Sequence, residues 1–400
     1  MICKNCKNKT TSLVYDFGQI PAVNSFIYKN EINDEKLFNL ELYVCNHCWL
    51  VQLSDVPDPK LLYENYHHIS GSSKGNVSHL SDVSNYIHKH YPDKLRVLEI
   101  GCNDGTLLDF LNQLGFECIG VDPAKNISQS SNIKVYKDFF NNEFVNNLTK
   151  ANGLFDVVIG LNVFAHNDSF VDMFDASYHA LNDDGILLVE VAYAPSTIGD
   201  GNFDTIYHEH VCSYSLIALE SSLQSVGLDI VHAELIETQG GSIRVIASKK
   251  TNQIKSKSYQ DIKKNEEKIG IDNLKYYNSI QTKIKTKVLA ISKFLQGVID
   301  KNQKLLIVGA PARGVVTLNV CNISNLKDNS IIVDDTFEKQ GKVMPGSHIN
   351  IVSWDQCDFE DYDICLVLSW NYINHLKDRL DKTKFIGEIY TPFPNFKRIS

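Results

Sequence analysis

Short apolar runs separated by polar stretches of helical length dominate the middle of the chain. Val97–Ile100, Cys118–Val121, Ile133–Tyr136, Phe155–Gly160, Ile186–Val191 and Ser242–Ala247 are each four to six residues long. Runs this short and this apolar predict strands buried on both faces, as in a parallel sheet. Their alternation with helix-length segments predicts a doubly wound α/β domain over residues 69–250. From 250 to 302 the pattern changes to a lysine-rich, proline-free stretch with Val288, Ile291, Phe294, Leu295 and Val298 at helical spacing. One or two long amphipathic helices are expected there. Strands resume at Lys304–Val308, Ser330–Val333 and Ile364–Leu368, which predicts a second, smaller α/β domain in 303–400. Ahead of residue 69 the chain has β-like runs such as Phe38–Val44 and a proline-rich exit at Pro57 and Pro59. The expected organisation is therefore 1–68, 69–250 and 251–400, the last including the helical linker.

The first strand of the middle segment breaks at Gly101 and Gly105, and Thr106–Leu111 then begins a helix; the next strand ends at Asp122, twenty-one residues after Gly101. Strand, glycine turn, helix, strand and acid place a nucleotide-like ligand at the carboxyl end of a parallel sheet. The glycines fall as G-x-x-x-G rather than G-x-G-x-x-G, and Glu99 and Asp104 put two acids where a pyrophosphate would be repelled. S-adenosylmethionine carries a sulfonium and an ammonium and no phosphate, so these acids suit it, and the layout implies methyl transfer. Glu99 and Asn103 would orient the turn and the amino-acid part of this donor. Asp122 would accept from the ribose hydroxyls. Asp138 suits either the adenine amino group or a helix N-cap. Asn162 follows the strand Phe155–Gly160 at the functional edge of the sheet, and His166 beyond it faces either the pocket or the core.

Charge and cysteine usage narrow the class. The 400 residues carry a net charge of −9, which argues against a dominant grip on nucleic acid or on an anionic membrane. The N-terminus has no apolar core, and no run approaches the ~20 apolar residues of a membrane span. A cytoplasmic, reducing location is expected, where the ten cysteines serve as thiols or metal ligands. Cys3-x2-Cys6 and Cys45-x2-Cys48 stand 38 residues apart. Two such knuckles close a tetrahedral four-thiolate site with no open position, which implies structural zinc.

A denser cluster follows the strand Ile186–Val191: Tyr207-His-Glu-His210. A metal site lacks a third ligand nearby, and a polar structural loop is the bland alternative. The third reading is acid–base chemistry. Carbon becomes a nucleophile only as an enolate or enamine, and a base with a pKa near 7 suits removal of the proton beside a carbonyl. Tyr207 would donate to the developing enolate oxygen, and Glu209 would hold or charge-stabilise the histidine.

Taken together, the cysteine pairs, Glu99–Leu108, Gly120–Ala124, Asn162–His166, Tyr207–His210, Gly240–Val245, Gly309-Ala-Pro-Ala-Arg-Gly314 and Lys339–Gly346 resemble the three-domain sugar C-methyltransferases that act on nucleotide-linked 4-keto-deoxysugars. The resemblance covers nearly the whole chain. It implies S-adenosylmethionine in the middle domain, structural zinc in the first, and a nucleotide-sugar, dTDP-linked, held by the middle and C-terminal domains. His210 is then the base, assisted by Tyr207 and Glu209, and C3 is the methylated carbon ahead of C5. Tyr63, Tyr66, His166 and Arg244 become substrate contacts. In the last domain the strand Lys304–Val308 leads into the turn Gly309–Gly314, whose Gly309, Ala310 and Arg313 suit a diphosphate at a helix start. Two other readings are a nucleotide-sugar oxidoreductase or epimerase using NAD, disfavoured by the missing G-x-G-x-x-G, and a zinc-ribbon RNA methyltransferase or binding protein, disfavoured by the negative charge.

Overall fold

A computed structural model describes the chain apart from residues 65–68, 129–132 and 251–252 and the side chains of Leu61 and Gln239. In chain order its strands are β1 (Thr11–Pro21), β2 (Leu37–Cys45), β3 (Val51–Leu53), β4 (Arg96–Ile100), β5 (Glu117–Val121), β6 (Lys134–Tyr136), β7 (Phe155–Leu161), β8 (Leu181–Ala192), β9 (Cys212–Ser213), β10 (Asp229–Ile236) and β11 (Ser242–Ser248). They continue with β12 (Leu305–Val308), β13 (Ser330–Val333), β14 (Ile351–Val352), β15 (Ile364–Val367), β16 (Glu388–Thr391) and β17 (Lys397–Arg398). Two compact units form. The first gathers Met1–Ser12, Tyr43–Ser196 and Glu209–Tyr276; the second gathers Leu13–Leu42, Thr197–His208 and Tyr277–Ser400.

The first unit is built on a seven-stranded sheet of order β10-β11-β8-β7-β4-β5-β6. Strands β4 to β8 are parallel. The apolar runs predicted these strands to within a residue or two, apart from β8, which starts earlier, at Leu181. The sheet is not parallel throughout, however: β11 runs antiparallel to both β8 and β10. Alternation of strands with helices had suggested a parallel setting for Ser242–Ala247, but only a short turn separates β10 from β11, so the two form a hairpin rather than a crossover. Helices cover both faces. Lys74–His90 buries Leu80, Val83 and Ile87, and Thr106–Gln113 buries Leu107 and Leu111, against Val97, Val157, Ile159 and Leu188. On the other face Phe170, Met173 and Phe174 of Phe170–Ala180 and Leu216, Leu219 and Leu223 of Leu216–Gln224 pack with Leu98, Ile100, Val158 and Val189. Cys3, Cys45 and Cys48 belong to this second cluster, so the knuckles share the core of the donor domain. β3 pairs with β9 antiparallel in the same unit.

The second unit centres on a six-stranded sheet of order β14-β13-β12-β15-β16-β17, parallel except for β17. β12, β13 and β15 were legible in the apolar pattern; the short β14 and the last two strands were not. β12 has β13 on one side and β15 on the other, which makes the carboxyl ends of β12 and β15 the topological switch point where such sheets bind ligands. At that point the chain turns at Gly309, with φ of +88°; a Cβ there would lie 2.1 Å from Ser369 Oγ. The linker forms Lys257–Ile269 and Leu274–Asp300, the two amphipathic helices its spacing predicted. Among the described residues no helix is long and apolar enough to cross a membrane.

Candidate active site

The donor turn hangs from the ends of β4 and β5. The Val121 carbonyl accepts from the Gly101 and Cys102 amides, at 2.8 and 3.3 Å. Gly105, at φ +86°, reverses the chain into the helix Thr106–Gln113, a conformation that costs glycine little. Asp104 serves the fold here: its Oδ1 accepts from the Thr106 amide at 3.2 Å and hydroxyl at 2.8 Å, and its Oδ2 from the Gly71 amide at 2.8 Å. Asn103, in the left-handed region at φ +52°, offers its Oδ1 to the Ser70 amide at 2.8 Å. The segment Ser70–Gly71 is thus strapped to the turn, a contact with no signature in the apolar pattern. Asp122 is buried, and its two oxygens accept from the Asn103 amide at 2.9 Å and the Ala124 amide at 2.8 Å.

Glu99 is buried on β4, and its Oε2 has no hydrogen-bond partner among the described residues. Burial, with the Asp122 and Asp104 charges adding to it, pushes this carboxyl well above the usual carboxylate range. A lone buried carboxyl of this kind is costly unless a donor reaches it. The ammonium of S-adenosylmethionine is such a donor, so the residues of the turn fit this cofactor. Asp138 is exposed and accepts from the Phe139 amide, so it is not the side-chain N-cap of the following helix; Asn141 fills that role for Asn142–Asn152. Asn162, at φ +53°, donates its amide to the Glu190 carbonyl at 2.7 Å.

Three side chains far apart in sequence, those of Tyr63, His166 and His210, gather beyond β7. Tyr63 Oη lies 3.4 Å from His166 Nδ1 and 3.2 Å from the Glu209 carbonyl, to which it donates. The His166 and His210 rings meet edge to face with centroids 5.1 Å apart. Both imidazoles are half-buried, and Glu209 is buried. His166 therefore faces the other histidine rather than the apolar core. Tyr207 is half-buried in the second unit, and the Tyr207–His210 segment crosses the division between the units. His208 turns elsewhere, with Nε2 3.2 Å from the Asn39 carbonyl and its ring against Phe38. Tyr66 lies outside the described residues.

Arg244 was expected to meet substrate. It is buried in an ion-pair network, donating from Nε to Glu190 Oε1 at 2.6 Å and from Nη1 to Glu234 Oε1 at 3.0 Å. His79 Nε2 lies 2.6 Å from the other Glu190 oxygen. The strand register explains this, since Arg244 stands opposite Glu190 on β8 and Glu234 on β10.

In the second unit the turn after β12 spends its first amides internally. Gly309 donates to the Val333 carbonyl at 2.8 Å and Ala310 to Asp334 Oδ2 at 2.7 Å. An anion at this turn is thereby left to Arg313 and to the first turn of the helix Ala312–Cys321 rather than to Gly309 and Ala310. Lys339 donates to the Ala310 carbonyl at 2.9 Å, and burial pulls its pKa down.

The sulfurs of Cys3, Cys6, Cys45 and Cys48 lie within 4.8 Å of one another, with Cys3–Cys48 at 3.6 Å and Cys6–Cys45 at 3.5 Å. These spacings match the edge of a tetrahedron drawn with zinc–sulfur bonds of about 2.3 Å. The hydrogen bond from Cys48 pulls the Cys3 thiol down to about 4, while burial pushes Cys45 up to about 11 and the bond to Cys3 raises Cys48, so one thiolate is shared among neighbouring thiols.

Three consecutive family profiles match the chain: a zinc binding domain over 3–63, a methyltransferase domain over 76–233 and a C-methyltransferase C-terminal domain over 237–394. The C-methyltransferase NovU of Streptomyces niveus is 28% identical over 408 aligned residues, covering 100% of this chain and 96% of the relative. Among solved structures, the 1,6-didemethyltoxoflavin-N1-methyltransferase of Burkholderia thailandensis is 13% identical, with a TM-score of 0.34 over 42% of this chain and 76% of its own. The magnesium protoporphyrin IX methyltransferase of Synechocystis is 16% identical, with a TM-score of 0.32 over 44% of this chain and 80% of its own.

Proposed function

Because the chain belongs to the three-domain, S-adenosylmethionine-dependent C-methyltransferases, we propose that its acceptor is a nucleotide-linked 4-keto-deoxysugar, dTDP-linked, methylated at C3 through an enolate. The observation that carries this reading is the meeting of Tyr63, His166 and His210 in the donor-binding unit. Oxygen, nitrogen and sulfur acceptors need little help to attack a methyl group; a carbon needs its proton removed first, and paired imidazoles with a phenol supply that apparatus. When bound, S-adenosylmethionine supplies an electrophilic methyl group. His210 takes the proton from the carbon beside the ketone. The Tyr207 hydroxyl donates to the oxygen on which negative charge builds, which lowers the barrier most when the donor is already in place. Glu209, buried beside His210 in sequence, favours the imidazolium that forms. Tyr63 and His166 line the acceptor's path to the base, and Arg313 at the second unit's helix start takes a diphosphate.

The segments 1–68, 69–250 and 251–400 then divide the work as metal-supported scaffold, donor site and nucleotide-sugar site. The charge of −9 and the lack of a membrane-crossing helix among the described residues favour an acceptor that is a small metabolite, handled in the cytoplasm.

The test is incubation of the full-length protein with S-adenosylmethionine and a panel of dTDP-4-keto-deoxysugars. One member is expected to gain the mass of a single methyl group, with NMR placing it at C3. In deuterated water without donor, the wild type is expected to exchange the proton at that carbon, and His210→Gln to slow the exchange by at least about 10²-fold. Exchange by His210→Gln at the wild-type rate removes His210 from the role, and a methyl group on oxygen or nitrogen removes the enolate.

A further inference from the structure

Asp204 is a fully buried carboxylate that the chemistry above does not use. It lies in the 3-10 turn Phe203–Thr205 of the second unit, three residues ahead of Tyr207. Its Oδ2 accepts from the indole Nε1–H of Trp370 at 2.8 Å, and its Oδ1 has no hydrogen-bond partner among the described residues. Trp370 begins the turn that follows β15, at the switch point, and its ring lies under the Arg313 guanidinium, 5.5 Å from the centroid. Its neighbour Phe203 packs on Phe393 and Phe17. Burial raises the Asp204 carboxyl, and the positive charges of Arg313 and Lys287 oppose that rise. Lys287 also donates to the Asn202 side-chain oxygen at 2.6 Å and so ties the same turn to the linker helix.

A buried carboxylate is expensive, and the fold keeps one here with the Trp370 indole bond and the opposing charges of Arg313 and Lys287. Two things depend on it. The indole bond fixes where the segment leading to Tyr207 begins. The charge partly neutralises Arg313, the cation best placed for an anion at the helix start.

We propose that Asp204 is a positioning residue for the methyl transfer: through Trp370 it sets the start of the Tyr207–His210 segment, and through Arg313 it makes that setting answer to an anion bound at the turn after β12. The proposal rests on the reading above only in taking the anion to be a nucleoside diphosphate. An anion that draws Arg313 toward itself shifts it from the Trp370 ring and weakens its field at Asp204, so acceptor binding and the placing of the segment are coupled through one carboxylate.

The consequence has opposite signs for binding and for chemistry, which a merely structural role would not produce. Asp204→Asn keeps an acceptor for the indole but removes the charge. Full-length D204N is expected to bind dTDP alone several-fold more tightly by calorimetry and to bind S-adenosylhomocysteine within about twofold of wild type. Its turnover of the keto-sugar nucleotide is expected to fall about tenfold, a change of roughly 1.4 kcal/mol in barrier. Trp370→Phe keeps the charge and removes the indole bond, so its dTDP affinity is expected to stay within about twofold while turnover falls by a similar factor. D204N binding dTDP no tighter than wild type, or no binding in either protein, overturns the proposal. So does wild-type turnover in W370F, which serves if D204N does not fold. A wild type that methylates no keto-sugar nucleotide strikes the acceptor class instead, and the sign of the dTDP change still decides the role of Asp204.

Discussion

Among single residues, Glu99 shows how burial sets both stability and affinity. Its carboxyl is raised by desolvation and by the Asp122 and Asp104 charges. An acid raised in the folded state contributes stability that is complete below its unfolded pKa and is lost as pH climbs through the interval up to its folded value. Glu99→Gln removes that loss. The donor-free variant is expected to melt at or above the wild-type temperature near pH 8, by a margin that shrinks toward pH 4. Its affinity for S-adenosylmethionine is expected to drop about ten- to a hundredfold, the worth of a hydrogen bond to a charged group. Unchanged donor affinity would mean that the orphaned Oε2 does not face the ammonium. The residue scale is also where sequence reading needed most adjustment. Asp104 was legible as an acid that a phosphate would avoid, yet its oxygens are taken up by Thr106 and Gly71.

At the scale of elements, the hairpin β10–β11 matters more than its edge position suggests. It brings Arg244 opposite Glu190 and Glu234, and β8 brings Glu190 toward His79 on the helix Lys74–His90. Glu190 is fully buried. Removing its guanidinium partner leaves that carboxylate to His79 alone, so Arg244→Met is expected to destabilise the protein by about 3–5 kcal/mol in urea unfolding. The double variant E190M/R244M is expected to recover a large part of that. If Arg244→Met instead leaves stability unchanged and raises only the acceptor KM, the residue contacts substrate as its motif first suggested. The apolar pattern placed β11 correctly but could not give its direction, because a short buried run reads the same parallel or antiparallel.

For the whole molecule, the cysteine knuckles do more than close a small domain. Their sulfurs sit in the core shared with β4, β7 and β8, and the second knuckle runs straight into β3. Leu53 of β3 donates to the carbonyl of Val211, the residue after His210, at 2.9 Å. Zinc removal by a strong chelator is therefore expected to lower a melting transition by more than about 10 °C, given several kcal/mol of metal-linked folding energy. Turnover is expected to fall with it and to return when zinc is restored. A metal-free protein that keeps both its melting profile and its activity would show that the thiols need no ion.

The sequence by itself determined the parts whose physics is local. The position of most strands, the glycine turn after β4, the helical period of the linker and the paired cysteine spacing depend on near neighbours and turn chemistry, and these were found where expected, β8 alone starting well before its apolar run. The tertiary structure decided which polar groups remain available. The Gly309 and Ala310 amides are chemically suited to a ligand but are spent on the fold, whereas Glu99 is left with an oxygen in need and each Asp122 oxygen, taking one amide bond, keeps acceptor capacity. It also brought Tyr63, His166 and His210 together and set Asp204 against Trp370. Those meetings join residues scores of positions apart, so they follow from packing, which no local pattern encodes.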